Sequence, residues 1–224
     1  MCGFCYLPKV LNGNLIFEYK VCKYKKKALR NSRLINNNKN FNTPNSLKEA
    51  SISKIYKTDK NRFKVINWLL DFLDNYEKGV KGLYLHGNFG CGKTYLIAAT
   101  FNELSKRNIK SSIIFYPEFI RDYFSIEFKE RLAYVKNVEV LLIDDLGAEN
   151  LTAYNRDEIL CPILQYRMDN NLTTFITSNL NMDQLSYHLA ISKNKVEDIK
   201  SGRIISRIKQ LTVDVELISK NLRK

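Results

Sequence analysis

The segment Gly87-Asn88-Phe89-Gly90-Cys91-Gly92-Lys93-Thr94 places three glycines, a lysine and a hydroxyl within one short stretch. Those residue types together suit phosphate binding. Glycines allow the backbone to turn its N–H groups inward, and the positive end of a following helix then faces the phosphate oxygens. Lys93 can reach the β and γ oxygens, and Thr94 can offer an oxygen to Mg²⁺. A glycine-rich structural turn is the alternative. The flanks favour the phosphate cradle, because an apolar run ends at His86 and an amphipathic run from Tyr95 to Phe101 follows Thr94. That is the strand, loop and helix order a P-loop needs, with all eight residues in contact with ATP.

Two further groups follow. The apolar run Val140-Leu-Leu-Ile143 ends in Asp144-Asp145 about fifty residues after Thr94. A carboxylate at the tip of a central strand can hold Mg²⁺ beside phosphates, and its neighbour can orient or deprotonate the attacking water. Asp144 is assigned to the metal and Asp145 to the base; the alternative is a pair that only caps a turn. The run Thr173-Thr-Phe-Ile-Thr177 ends in Ser178-Asn179. At that edge of an open α/β sheet Asn179 can reach the γ-phosphate or the lytic water.

These residues need a scaffold, and the surrounding pattern predicts one. Short β-like runs at Leu83–His86, Ser112–Tyr116, Val138–Ile143, Thr173–Thr177 and Leu211–Val215 alternate with helical segments near 94–107, 118–136, 155–169 and 195–210, plus a short one at Met182–Leu189. The alternation predicts an α/β fold, a parallel sheet flanked by helices. Upstream, Thr58-Asp59 reads as a helix start, with Phe63, Ile66, Leu69, Leu70 and Leu73 on one face.

At 224 residues the chain has room for one main core and a modest appendage. Residues 48–224 form the predicted catalytic domain, and the polar, turn-forming stretch 31–47 reads as a linker. Residues 1–30 read as a small cysteine-containing segment. With no apolar run near the about 20 residues of a membrane helix and no secretory layout at the start, a cytoplasmic protein is expected. Five cysteines, an odd number, predict reduced thiols or metal ligands rather than a disulfide framework. A net charge of +13 favours polyanionic partners such as nucleic acid. The basic residues are spread along the chain, so a solvated basic surface is the other reading.

Taken together, Gly87–Thr94, Val140–Glu149 and Thr177–Asn179 resemble the Walker A, Walker B and sensor 1 elements of AAA+ ATPases. More narrowly, the chain is similar to bacterial replicative-helicase loaders of the DnaI/DnaC family. The likeness covers most of residues 48–224 and rests on the order and spacing of Lys81–Thr94, Tyr116–Phe119, Asp144–Glu149, Ile163–Met168, Thr177–Asn179 and Arg203–Ile208.

The resemblance implies a P-loop AAA+ core without a full helical lid. It also implies an ATPase that loads the replicative DNA helicase, binds single-stranded DNA and associates with itself so that ATP sites are shared between subunits. It makes Arg207 the arginine finger completing a neighbour's site, a role that suits a planar guanidinium. Arg203 lies one helical turn earlier and stays an alternative. Lys106-Arg107 and Lys129-Glu-Arg131 are candidates for phosphate contact or simply solvated helix faces. AAA+ proteins usually carry Glu after the first Walker B Asp; the shorter Asp145 suggests slow hydrolysis suited to a switch. The family's N-terminal region holds zinc. Here Cys2, Cys5 and Cys22 offer three thiolates and the fourth ligand is unassigned, so zinc and three incidental thiols both stand. Competing functions are an IstB-like transposition helper ATPase and a non-hydrolysing ATP-binding adaptor.

Overall fold

A computed structural model of the chain describes residues 5–11, 14–20, 45–55, 59–121, 123–192, 195–196 and 198–222. Cys2 and Cys22, and the side chain of Cys5, lie outside the described residues, as does most of the 31–47 linker.

The first element is an antiparallel hairpin of β1 (Cys5–Leu11) and β2 (Asn14–Lys20), in which Cys5 pairs with Lys20. A one-turn helix, α1 (Asn45–Lys48), and a 3-10 turn at Ile52–Lys54 lead to α2 (Lys60–Asp74). Asp59 caps α2 by accepting a hydrogen bond from the Arg62 amide at 2.7 Å. The buried stripe of α2 is Arg62, Val65, Ile66, Leu69, Phe72 and Leu73. Phe63 and Leu70, expected on that face, are exposed instead. They lie one heptad apart, about 100° or more round the helix from the centre of the stripe.

The main sheet has five parallel strands in the order β4, β5, β6, β3, β9. They are β3 (Gly82–His86), β4 (Ser111–Phe115), β5 (Val140–Asp144), β6 (Thr173–Ser178) and β9 (Thr212–Glu216). A short pairing of β7 (Ile191–Ser192) with β8 (Lys195–Val196) lies outside that sheet. The order inserts β6 between β3 and β5. The sensor segment at the end of β6 therefore stands between the phosphate loop, which follows β3, and the carboxylates, which end β5.

All residues of β3, β5 and β6 are buried, as expected for parallel strands covered on both faces. On one face Leu83, Leu85, Leu142 and Phe175 pack with α2 and with α3 (Lys93–Lys106). Phe175 makes edge contacts with Phe72 and Phe101 at centroid distances of 5.0 and 5.4 Å. On the other face Tyr84, Leu141, Ile143 and Ile176 pack with the remaining helices.

Those helices differ from their sequence pattern in two places. The expected 118–136 helix is split into α4 (Tyr116–Phe119) and α5 (Ile126–Asn137). Tyr116, expected to end a strand, opens α4 because Pro117 suits the first turn of a helix, and Ser125 restarts the helix by capping the Phe128 amide. The 155–169 segment is π-helical over Asn155–Leu160 and α-helical over α6 (Cys161–Asp169). Pro162 lacks the N–H that a continuous helix requires, and the wider turn ahead of it absorbs the missing bond. The chain continues through α7 (Met182–Ala190) and α8 (Asp198–Leu211). Among the described residues, no helix is long and apolar enough to cross a membrane.

Candidate functional site

The phosphate loop takes the conformation its glycines allow. Gly87, Gly90 and Gly92 have φ of 143°, 73° and 82°, values that L side chains adopt only with strain. Gly92 hands the chain to α3, so Lys93 and Thr94 open that helix and the positive end of its dipole faces the loop.

Lys93 is buried and three oxygens hold its ammonium: Nζ donates to Gly87 O and Asn88 O at 3.0 Å each and to Asn179 Oδ1 at 2.8 Å. Burial pulls its pKa below the ordinary lysine range, against the opposing pull of Cys91, Asp145 and Asp144. The other arm of Asn179 completes the bridge, with Nδ2 donating to Asp145 Oδ1 at 2.8 Å. Asp145 itself sits in the left-handed region at φ 59°. That is an uncommon conformation for a non-glycine residue and costs about 1 kcal/mol or more. The Thr177 hydroxyl pins the strained residue by accepting from its amide at 2.9 Å.

Asp144 points the other way. Its Oδ1 accepts from the hydroxyls of Thr94 at 2.7 Å and Thr177 at 2.6 Å. Burial raises its pKa, with those two hydrogen bonds pulling back. A buried carboxylate beside a threonine oxygen is a hard, oxygen-only donor set, and it fits Mg²⁺ better than softer metals. Lys93, Thr94, Asp144, Asp145 and Asn179, drawn from three separate stretches of sequence, thus form one continuous network.

Arg207 stands outside that network. Its Nε donates to Gln165 Oε1 at 2.7 Å and its Nη1 to Cys161 Sγ at 2.9 Å, which ties it to α6. Arg203, four residues earlier on α8, is exposed. Both therefore sit on α8 rather than beside this chain's own phosphate loop. Of the basic candidates for phosphate contact, Lys106 pairs with Glu103, Arg107 donates to the Leu73 carbonyl and Arg131 lies over the Phe119 ring at 5.3 Å. Among the described residues no group of three or more His, Cys, Asp or Glu side chains could hold a metal.

Comparison with known proteins places the arrangement. The replicative helicase loader DnaI of Bacillus subtilis (strain 168) is 36% identical over 228 residues, spanning 97% of this chain and 73% of that protein. The chain belongs to the DnaI family of replicative helicase loaders. A crystal structure of DnaI superposes with a TM-score of 0.76 at 43% identity, covering 85% of this chain and 100% of that one. The DnaC helicase loader, at 24% identity and a TM-score of 0.65 over 78% of this chain and 100% of its own, shares the fold. So does the replication initiator DnaA bound to AMPPCP and single-stranded DNA, at 22% identity and a TM-score of 0.57 over 77% of this chain and 51% of that one. The fold is that of the AAA+ proteins. No family model matches the chain.

Three contributors to this DnaI-family site were not assigned from sequence. Thr177 reads from the sequence only as part of a strand end, yet its hydroxyl donates to the Asp144 carboxylate and accepts from the Asp145 amide. Arg62 is fully buried on α2 and its Nη1 donates to the Cys91 carbonyl, bracing the loop from behind. A charge at the head of an apolar helix stripe is the sequence signal available for it. Glu149 accepts from the Gly147 amide at 2.7 Å and meets His188 Nε2 at 3.1 Å, tying the turn after Asp145 to α7; no sequence spacing announces that pair.

Proposed function

We propose that the chain is an ATPase that loads the replicative DNA helicase in replication initiation or restart, with ATP binding and slow hydrolysis acting as a switch. The observation that carries this reading is the Lys93–Asn179–Asp145 bridge beside the Thr94–Asp144 pair, in a chain of the DnaI family.

The geometry supports these roles. The loop amides and the N-terminus of α3 offer positive potential to the β and γ oxygens, and Lys93 adds a full charge. Thr94 and Asp144 would hold Mg²⁺, which when bound neutralises charge on the β and γ oxygens. Asp145 orients the attacking water and accepts its proton, and Asn179 fixes that carboxylate relative to Lys93. An aspartate one methylene shorter than glutamate, already committed to Asn179, suits slow turnover. Arg207 is the arginine finger offered to a neighbouring subunit, and its place on α8, away from the chain's own loop, supports a role in trans.

Single-stranded DNA belongs to the same proposal. It is supported by the charge of +13 and by an exposed aromatic group, in which Tyr123 lies 3.9 Å from Phe124 and 5.0 Å from Tyr154 between centroids. Phe124 is 85% exposed, and an exposed aromatic face can stack on bases of any sequence. Zinc on Cys2, Cys5 and Cys22 is supported only by the hairpin register, which pairs Cys5 with Lys20, two residues before Cys22.

The deciding experiment is a pull-down of the replicative helicase with ATP and with ADP, alongside steady-state hydrolysis with and without single-stranded DNA. Nucleotide-dependent capture with slow, DNA-stimulated turnover is expected. Equal capture under both nucleotides and no turnover would leave a non-hydrolysing adaptor.

A further inference from the structure

The segment that follows β9 runs on alongside the phosphate loop and bonds at three successive points to the loop and to the residue just ahead of it. The Leu217 amide donates to His86 O at 2.7 Å, just ahead of the loop. The Leu222 amide donates to Gly90 O at 2.9 Å, near its middle. Between them Ser219 forms a two-way pair with the Asn88 carboxamide: its amide donates to Asn88 Oδ1 at 3.1 Å and its carbonyl accepts from Asn88 Nδ2 at 2.6 Å. The Ser219 hydroxyl donates to Asp59 Oδ2 at 2.6 Å, the same carboxylate that caps α2 through the Arg62 amide. Leu217 is fully buried in the core face shared with α2 and α3, which anchors the segment.

The packing is close enough to constrain the loop's sequence. A Cβ on Gly87 would lie 2.0 Å from Leu217 O, and a Cβ on Gly90 would lie 2.0 Å from Asn221 Oδ1. Gly87 is thus required by the backbone of this segment as well as by its own φ angle, whereas at Gly90 the Asn221 side chain would have to move aside. Asn88 is the link to the chemistry: its side chain is held by Ser219 while its carbonyl accepts from Lys93 Nζ.

We propose that Leu217–Leu222 is a positioning element of the nucleotide site, in which the Ser219 backbone, through Asn88, sets the phosphate loop and the Lys93 ammonium for binding. The inference rests on the nucleotide reading above. Two consequences follow. Removing the Ser219 N–H weakens binding although no loop residue is changed. Conversely, by linkage, nucleotide stabilises the docked segment, since a group that favours the binding-competent loop is favoured by the ligand in return.

The test uses the full chain. Ser219→Pro deletes the amide that donates to Asn88, together with the hydroxyl that donates to Asp59, and leaves the loop sequence intact; Ser219→Ala, which loses the hydroxyl alone, is expected to bind as wild type does. Titration with a fluorescent ATP analogue is expected to show about tenfold weaker binding than wild type, the size of one or two lost hydrogen bonds. The Asn88→Ala, Ser219→Pro double variant is expected to bind no worse than Asn88→Ala alone, because Asn88→Ala already removes the partner of the Ser219 amide. Amide exchange supplies a second readout on the unmodified chain: the Leu217, Ser219 and Leu222 amides are expected to slow at least severalfold on saturation with nucleotide. Binding by Ser219→Pro within twofold of wild type, or exchange that nucleotide leaves unchanged, overturns the proposal. If Ser219→Pro does not fold, the exchange measurement decides alone. Absence of binding by the wild-type chain overturns the nucleotide reading and this inference with it.

Discussion

The Asn179 side chain accepts a hydrogen bond from the Lys93 ammonium at 2.8 Å, and its second arm donates to Asp145 at 2.8 Å. One carboxamide therefore fixes the distance between Lys93, proposed to meet the phosphates, and Asp145, proposed to activate water. Asn179→Ala removes that spacer without removing either charge. Single-turnover hydrolysis is expected to fall about 100-fold, the scale of a misplaced acid–base group, while nucleotide affinity changes only severalfold. Equal losses in affinity and turnover would place Asn179 in binding alone.

Lys93→Ala removes the only full positive charge that the loop itself carries. ATP binding is expected to weaken by about 100-fold or more, as for a lost charged contact that leaves its partner oxygens unpaired. Calorimetric titration with ATP and ADP measures it, and a wild-type affinity would refute the assignment.

Asp145→Asn keeps the shape and one acceptor oxygen but cannot take a proton. ATP is expected to bind with near wild-type affinity and to be hydrolysed about 100-fold more slowly. The variant also offers the test of switching: if hydrolysis rather than binding changes the state, it should hold the helicase in the ATP-bound mode.

Arg207 donates to Gln165 and Cys161 on its own chain, so the proposed contact with a phosphate would come through assembly. Arg207→Ala is expected to bind nucleotide normally as an isolated subunit and to lose about 1,000-fold of the DNA-stimulated turnover of the assembly. Mixing it with Lys93→Ala subunits should restore part of that turnover, because the second variant lacks nucleotide but still offers Arg207. Full turnover by Arg207→Ala alone would rule out the trans role, and Arg203→Ala would then be the next variant to measure.

Arg167 carries a stability prediction. It is wholly buried and its guanidinium donates to the carbonyls of Val135, Val138 and Thr173 at 3.0, 2.8 and 2.6 Å, joining the end of α5 to the starts of β5 and β6. Burial draws its pKa down to about 9, which still leaves it protonated at neutral pH. Arg167→Met strands those carbonyls in the core. Unfolding free energy is expected to drop by about 3 kcal/mol or more, read from urea denaturation, with the Lys93 site chemistry intact in the folded fraction.

The pieces of the candidate site are legible in the sequence because each of them is local. A glycine-rich turn between a strand and a helix, an apolar strand ending in Asp144-Asp145, and a second strand ending in Asn179 each sit within about ten residues, and hydrophobic period and residue type suffice to read them. The sheet and its flanking helices followed from the same periodicity. What only the tertiary structure decided are relations between distant segments. Strand order places β6 between β3 and β5, and this turns Asn179 into a bridge and lets Thr177 hold the Asp144 carboxylate and the Asp145 amide. The burial of Arg62 and Arg167 depends on which face of a helix meets the sheet, and a charge inside an apolar stripe does not state what will satisfy it. The Ser219 contact with Asn88 spans 131 residues and rests on backbone groups that every residue except proline presents alike. No residue type could announce it, because hydrogen bonding by the main chain is set by where the chain passes and not by what it is made of.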